Sequence, residues 1–371
     1  MNELQAAALK EAERRTRTIR AAAVGALVLF GLVLVSGAAF TEAKIKKAEL
    51  GAANSELERR KIEGEASTLA FRAEQYLQNI HDDEVVRRVA SLATEEFERL
   101  VQSAPDNVDV RRAQADTWKS IGRHVTDESV AIDAFEKEER IRRLVAIKSI
   151  ESEQDLAQRN LSVNLTNLGR RLQSRDRNRA ILVYKEALEI ARGLAIKHSD
   201  KIDWQFDVPT LLIRIGALKW REGDQPGAES DFREGLNFAY RIADTAKDEN
   251  IKWCRCAIAA MHDAIGDLKL ESKEVVGALR SYEDALAIRQ ALHNDEPNTW
   301  QSSVLDTFRK IIKVKLAIGN SASALKTYKQ AYEFAGQVGE REQWEEKAHE
   351  EFRQLRETKQ EGPRRASARA R

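Results

Sequence analysis

An alanine followed four residues later by an aromatic recurs along this chain, at Ala93/Phe97, Ala131/Phe135, Ala180/Tyr184, Ala228/Phe232, Ala278/Tyr282 and Ala324/Tyr328. From Phe135 onward the aromatics are spaced by 49, 48, 50 and 46 residues. Self-similarity at such a period marks a stacked-repeat architecture. Upstream of four pairs stands an aliphatic–glycine dyad: Ile121-Gly122, Leu168-Gly169, Ile215-Gly216 and Ile265-Gly266. Further upstream a tryptophan recurs at Trp204, Trp253 and Trp300. The small alanine and the ring one turn later share one face of a helix, where ring and gap can interlock. The glycine lets the other helix of a hairpin approach closely. One hairpin cannot bury its apolar stripe alone, whereas stacked hairpins bury a continuous core.

Composition supports helix throughout. The 371 residues include only 18 Gly and 5 Pro, and strong helix formers dominate. The spacing predicts one helix from Glu42 to Ile80, on which Ile62, Ala66, Leu69, Ala73, Tyr76 and Ile80 form an apolar stripe. The aspartates of His81-Asp82-Asp83 suit the cap of the next helix. Hairpins are then expected over 109–150, 153–198, 204–247, 251–294 and 299–337. Pro209 either delays the start of its helix to near Asp207 or kinks it. The expected organisation is a basic tail (1–20), a membrane segment (21–40), a helical linker (41–61) and a repeat domain (62–340). A capping helix (341–358) carrying Trp344, Ala348, Phe352 and Leu355 on one face and a basic tail without apolar periodicity (359–371) follow.

The repeats resemble the tetratricopeptide family. A glycine late in one helix and an A-x3-F pattern in the next read here as Gly169 with Ala180-Ile-Leu-Val-Tyr184, and as Gly266 with Ala278-Leu-Arg-Ser-Tyr282. Ser103-Ala-Pro-Asp-Asn107 looks like the family's inter-repeat turn. The period of about 48 residues exceeds the family's usual 34 or so. It is similar to long-helix arrays such as kinesin light chain and to bacterial arrays with W-Q-x-D-L openings, which Trp204-Gln-Phe-Asp207 matches in part. The resemblance implies an all-α solenoid that binds protein or peptide on a concave face lined by first helices.

Residues Ala21–Phe40 contain no charge and, apart from Ser36, no strongly polar side chain. As a helix such a run spans about 30 Å, the thickness of the hydrocarbon core. It exceeds the apolar length of a cleaved signal, although Ser36-Gly37-Ala38 has the small residues of a cleavage site. Lys10, Arg14, Arg15, Arg17 and Arg20 precede it and Lys44, Lys46 and Lys47 follow. That bias favours a cytoplasmic N-terminus, with the repeat domain outside the cytoplasm of a bacterial inner membrane. Residues 42–80 also offer a stripe for self-association, broken between Leu57 and Ile62.

Formal net charge is +1, so no global field recruits nucleic acid. Cys254 and Cys256, two apart, point to different sides of a helix and cannot bridge each other. There is no phosphate loop, no G-x-S-x-G and no H-E-x-x-H, and His349-Glu350-Glu351 lacks the second histidine of a zinc motif. Neither catalysis, cofactor nor metal is expected. One polar constellation stands out. Asn160, Asn164, Asn167 and Arg171 repeat at 4-3-4 spacing beside the apolar stripe Leu161, Leu165, Leu168 and Leu172. Asparagine amides there can bond a peptide backbone, and Arg214, Arg309 and Lys313 on later first helices can add positive charge to the same groove. The function expected is a membrane-anchored scaffold that captures a protein or peptide. A non-catalytic sensor or regulatory subunit with a separate effector enzyme is the alternative.

Overall fold

In the computed structural model the described residues are 52–78, 82–246, 249–296, 299–342, 344 and 346. All regular structure among them is helical. The chain divides into two compact units at Ile190/Ala191.

In the first unit, α1 (Ala52–Leu77), α2 (Asp83–Ser103), α3 (Val108–His124), α4 (Glu128–Lys148) and α5 (Glu151–Leu172) follow one another in antiparallel hairpins. The helix α6 (Arg177–Lys197) carries the boundary between the units. Helix α1 packs on α3 as well as α2, and α4 packs on α5. In the second unit, a single-turn helix α7 (Ile202–Gln205) leads into α8 (Asp207–Arg221) and α9 (Gln225–Ala243). Two further hairpins follow, α10 (Glu249–Glu271) with α11 (Val275–Asp295), and α12 (Gln301–Ala317) with α13 (Ser321–Gln337). Pro209 sits in the first turn of α8, where its missing N–H has no intrahelical partner to lose, so the helix starts late rather than kinking.

Asp82, Asn107, Asp127, Asp224 and Asn320 each accept backbone N–H groups at a helix start. Asp83 instead reaches across to another helix, accepting from Thr126 N at 2.8 Å, Thr126 Oγ1 at 2.7 Å and Asp127 N at 2.8 Å. It thereby ties the start of α2 to the start of α4.

The glycine–aromatic pairs are the locks of the hairpins. A Cβ placed on Gly122, Gly169, Gly216 or Gly266 would meet the ring of Phe135, Tyr184, Phe232 or Tyr282 at 2.9, 2.6, 2.7 and 2.6 Å. The glycine thus makes room for a ring as well as for a backbone. All four rings are buried. Tyr328 departs from this pattern. The spacing puts Ile312 where its glycine would stand, and Tyr328 stays only partly buried against Tyr332 and Trp344. Trp344 is itself buried in that terminal cluster. The turns of the second unit share a second device: Gly223 (φ 87°) and Gly319 (φ 76°) are left-handed, and Lys273 (φ 63°) takes the same conformation between α10 and α11.

Among the described residues no helix is long and apolar enough to cross a membrane. The basic tail 1–20, the segment 21–40, the linker up to Gly51, Ile80 and the tail 359–371 lie outside the described residues. So do Ala348, Phe352 and Leu355 of the expected capping helix. Helix α1 runs without interruption through the expected boundary at 61/62.

Candidate functional site

The asparagine stripe does not form one exposed surface. Asn164 is fully buried between α4 and α5, where its Nδ2 donates to the Phe135 carbonyl at 3.1 Å and to Glu138 Oε2 at 2.8 Å. It holds protein against protein and is closed to a ligand. Asn160 and Asn167 are half-buried, and Asn167 accepts from Arg170 at 3.2 Å. Arg171 donates to the Gly122 carbonyl at 3.1 Å, joining α5 to the end of α3. In the second unit Arg214 has its Nε buried on α8, Arg309 on α12 bonds Asp306 at 3.1 Å, and Lys313 on α12 is exposed. The reading of Asn164 as a peptide-facing residue is therefore corrected, whereas Asn160, Asn167 and Arg171 stay half-buried. A helix packed by neighbours on two sides buries more than its leucine stripe.

Asn164 belongs to a buried polar cluster. Arg142 Nε lies 3.1 Å from Glu138 Oε1, and its NH2 group lies 2.5 Å from Asp116. Both Glu138 and Arg142 are buried. Burial pushes the Glu138 carboxyl above the usual range, against the opposing pull of Arg142 and Asn164.

The open surface of the first unit lies instead between its first helices. A groove of about 770 Å³ runs between α1 and α3, within the size range of ligand sites. Small side chains, Ser67, Ala70 and Ala113, open its floor. Phe71 stands on its wall 65% exposed, one of the largest apolar groups left in solvent. Gln75 and Gln78 also line it, with the Gln78 side chain hydrogen-bonded to Glu74.

The carboxylates of this groove are largely engaged, Glu63 with Arg59, Asp109 with Arg112 and Asp116 with Arg142. Glu63, Glu74, Asp109 and Asp116 line it against Arg112 and Lys119. Arg112 is already engaged by Asp109 at 2.8 Å and by Glu153. The Ser120 hydroxyl donates to Glu74 at 2.7 Å and holds that carboxyl below the usual carboxylate range, with further help from Arg123 and His124. Asp116 gives one oxygen to Arg142 while its side chain remains 53% exposed.

None of these groove residues is singled out by motif spacing. One signal was available: Phe71 lies off the apolar stripe of α1, and an aromatic placed off the buried face calls for another contact. Among the described residues no group of three or more His, Cys, Asp or Glu is arranged to hold a metal ion. Cys254 is buried and Cys256 half-buried, both as free thiols pushed up by desolvation, Cys256 to about 11.

Antiparallel hairpins locked by glycine and ring at a near-constant period define an all-helical repeat fold. No protein-family model matches the sequence, and no curated protein matches it. Among solved structures, the chain is similar to BtubC from P. vanneervenii at 21% identity and a TM-score of 0.43, over 66% of this chain and 92% of that one. It is similar to the apo form of RapI at 12% identity and 0.43, over 75% and 78%. The apo quorum sensor NprR from B. thuringiensis matches at 14% and 0.41, over 84% and 76%. These likenesses are loose, and the class rests on the hairpin geometry.

Proposed function

We propose that the chain is a non-catalytic scaffold that binds a protein or peptide segment through the α1–α3 groove and is held at a bacterial inner membrane by residues 21–40. The observation that supports it most is Phe71, exposed on the wall of a groove floored by small side chains. An aromatic left in solvent beside a groove suits a peptide segment with an apolar or cationic side chain on the ring. The tether raises the local concentration of the partner at the membrane. The apolar run of 20 residues and the basic residues before it support the anchor and its orientation.

Two measurements test this reading. Affinity capture from native membranes should recover a partner with the wild-type chain and lose it with Phe71→Ala, at an unchanged thermal melt because the ring is mostly exposed. Recovery undiminished by Phe71→Ala would remove the groove from the account. A reporter fused after Arg371 should be active outside the cytoplasm, and protease added to spheroplasts should digest the repeat domain. Protection from protease with cytoplasmic reporter activity would reverse the orientation.

A further inference from the structure

Helices α1–α5 alternate in direction, so the α2–α3 and α4–α5 turns lie at the end of the first unit where α1 begins. Arg59 and Glu63 of α1 line one cleft with Pro105, Lys148 and Ile150. Apolar side chains gather at this end and stay in solvent. Leu144 is 44%, Ile147 77% and Ile150 66% exposed, and Leu144 lines a neighbouring cleft with Pro105 and Val108. Ile150 also takes the N-cap of α5 without a capping bond, whereas Asp82, Asn107 and Asp127 cap the three helices before it. Isoleucine is among the poorest N-cap residues, so the helix start does not explain it. The turns at the opposite end, at 125–127 and 173–176, expose no large apolar side chain. Charges at the apolar end are largely paired with one another: Lys148 with Asp106 at 2.6 Å, Arg59 with Glu63 at 2.9 Å, and Arg112 with Glu153. An apolar corner ringed by neutralised pairs suits hydrocarbon better than an ionic partner.

The chain's entry into the unit says what covers this corner. Residues 41–51 separate the apolar run 21–40 from Ala52. A stretch of that length reaches at most about 40 Å. With 21–40 in the bilayer, Ala52 is held within that distance of lipid, and the corner lies level with residues 59–63, two to three turns along α1. We infer that the corner formed by Leu144, Ile147 and Ile150 inserts into the interface of that same bilayer. This rests on the reading of residues 21–40 as an anchor and adds a second, reversible contact. Glu63, Asp109 and Arg112 line both the cleft at this end and the α1–α3 groove, so the contact sets the groove beside the lipid surface. The attraction is apolar, so added salt does not release it.

The test reconstitutes the full chain into vesicles of phosphatidylethanolamine and phosphatidylglycerol. An environment-sensitive thiol dye is placed at Ile147→Cys or, as the control at the opposite end, at Arg175→Cys. The chain without either change gives the background from Cys254 and Cys256. Vesicle flotation reads the anchor separately. The dye at 147 should be blue-shifted and quenched several-fold more by nitroxide-labelled lipid than the dye at 175, at low and high salt alike. Adding Ile150→Asp should lower the quenching at 147 several-fold while the thermal melt holds or rises, since aspartate is a good N-cap. Equal quenching at 147 and 175 in chains that float with the vesicles, or quenching at 147 that ignores Ile150→Asp, overturns the inference and leaves the anchor standing. A dye at 147 that is blue-shifted yet not quenched also overturns it, since protein and not lipid then covers the corner. Chains that do not float with the vesicles remove the anchor and the inference together.

Discussion

The α4–α5 contact in the first unit and the α9–α10 contact in the second fill the same repeat positions with opposite chemistry. Three and seven residues after the locking aromatic stand Glu138 and Arg142 in α4, but Gly235 and Ala239 in α9. Five residues before the next glycine stands Asn164 in α5, but Met261 in α10. In the apolar version Met261 packs where Gly235 leaves space, 3.0 Å from where a Cβ would lie. In the polar version an ion pair and an amide are buried together, and Asn164 Oδ1 remains without a partner. The contact between α11 and α12 is intermediate, with Arg289 bonded to Thr307 and paired to Asp263 at 2.6 Å. Stacking therefore does not need a particular polarity at these positions. A buried polar set adds register, because it is satisfied in one alignment only, at a cost in desolvation.

The largest effect expected in this comparison comes from breaking the polar set. Arg142→Ala leaves Glu138 buried without its cation and should destabilise the first unit by about 3–5 kcal/mol, read by denaturant unfolding. Writing the α9–α10 solution into the first unit, with Glu138→Gly, Arg142→Ala and Asn164→Met together, should cost less than Arg142→Ala alone. A triple variant weaker than the single would mean that the polarity itself is required. The reciprocal change on the apolar side, Met261→Ala, should cost about 2–5 kcal/mol by leaving a cavity.

A smaller effect separates the two contacts by pH. Burial raises the Glu138 carboxyl above its ordinary value of 4.5, so the folded unit favours the protonated form. That contribution is fully present below about pH 4.5 and is lost as pH rises through the higher folded value. Relative to Glu138→Gln, the wild-type melt should therefore fall as pH is raised from 4.5 toward neutrality. Parallel melting curves for the two proteins would show that Glu138 does not titrate differently on folding. The smallest effect is in a turn. Lys273 holds the left-handed conformation that glycine holds at 223 and 319, and Lys273→Gly should stabilise the second unit by about 1 kcal/mol. A lower melting point would show that the lysine side chain contributes more than the strain costs.

The repeat itself was legible because its devices are local. Each lock needs one glycine and one ring at fixed spacing, and each cap needs one short polar residue before an apolar run. Asn164 was misplaced because helical periodicity was referred to a single leucine stripe, whereas α5 is packed on more than one side. Glu138 and Arg142 carry no motif. They stand out only when the repeats are aligned on their aromatics, where other second helices have Ala187 and Ala191, Gly235 and Ala239, or Ala331 and Ala335. The groove was not legible because it is made by what two helices lack, bulk at Ser67, Ala70 and Ala113, and spacing within one helix does not report which small positions face each other.

The central claim is that polypeptide is bound on the first helices, at the groove, and not on the second helices. Leu182, on the second helix α6 and 67% exposed, is a matched control for Phe71 at 65%. A photo-reactive phenylalanine analogue placed at position 71 or at position 182 of the full chain, irradiated in native membranes, distinguishes the two faces directly. The account predicts adducts to a partner polypeptide at position 71, and few or none at position 182. Adducts of equal yield at both positions, or at position 182 alone, would contradict it.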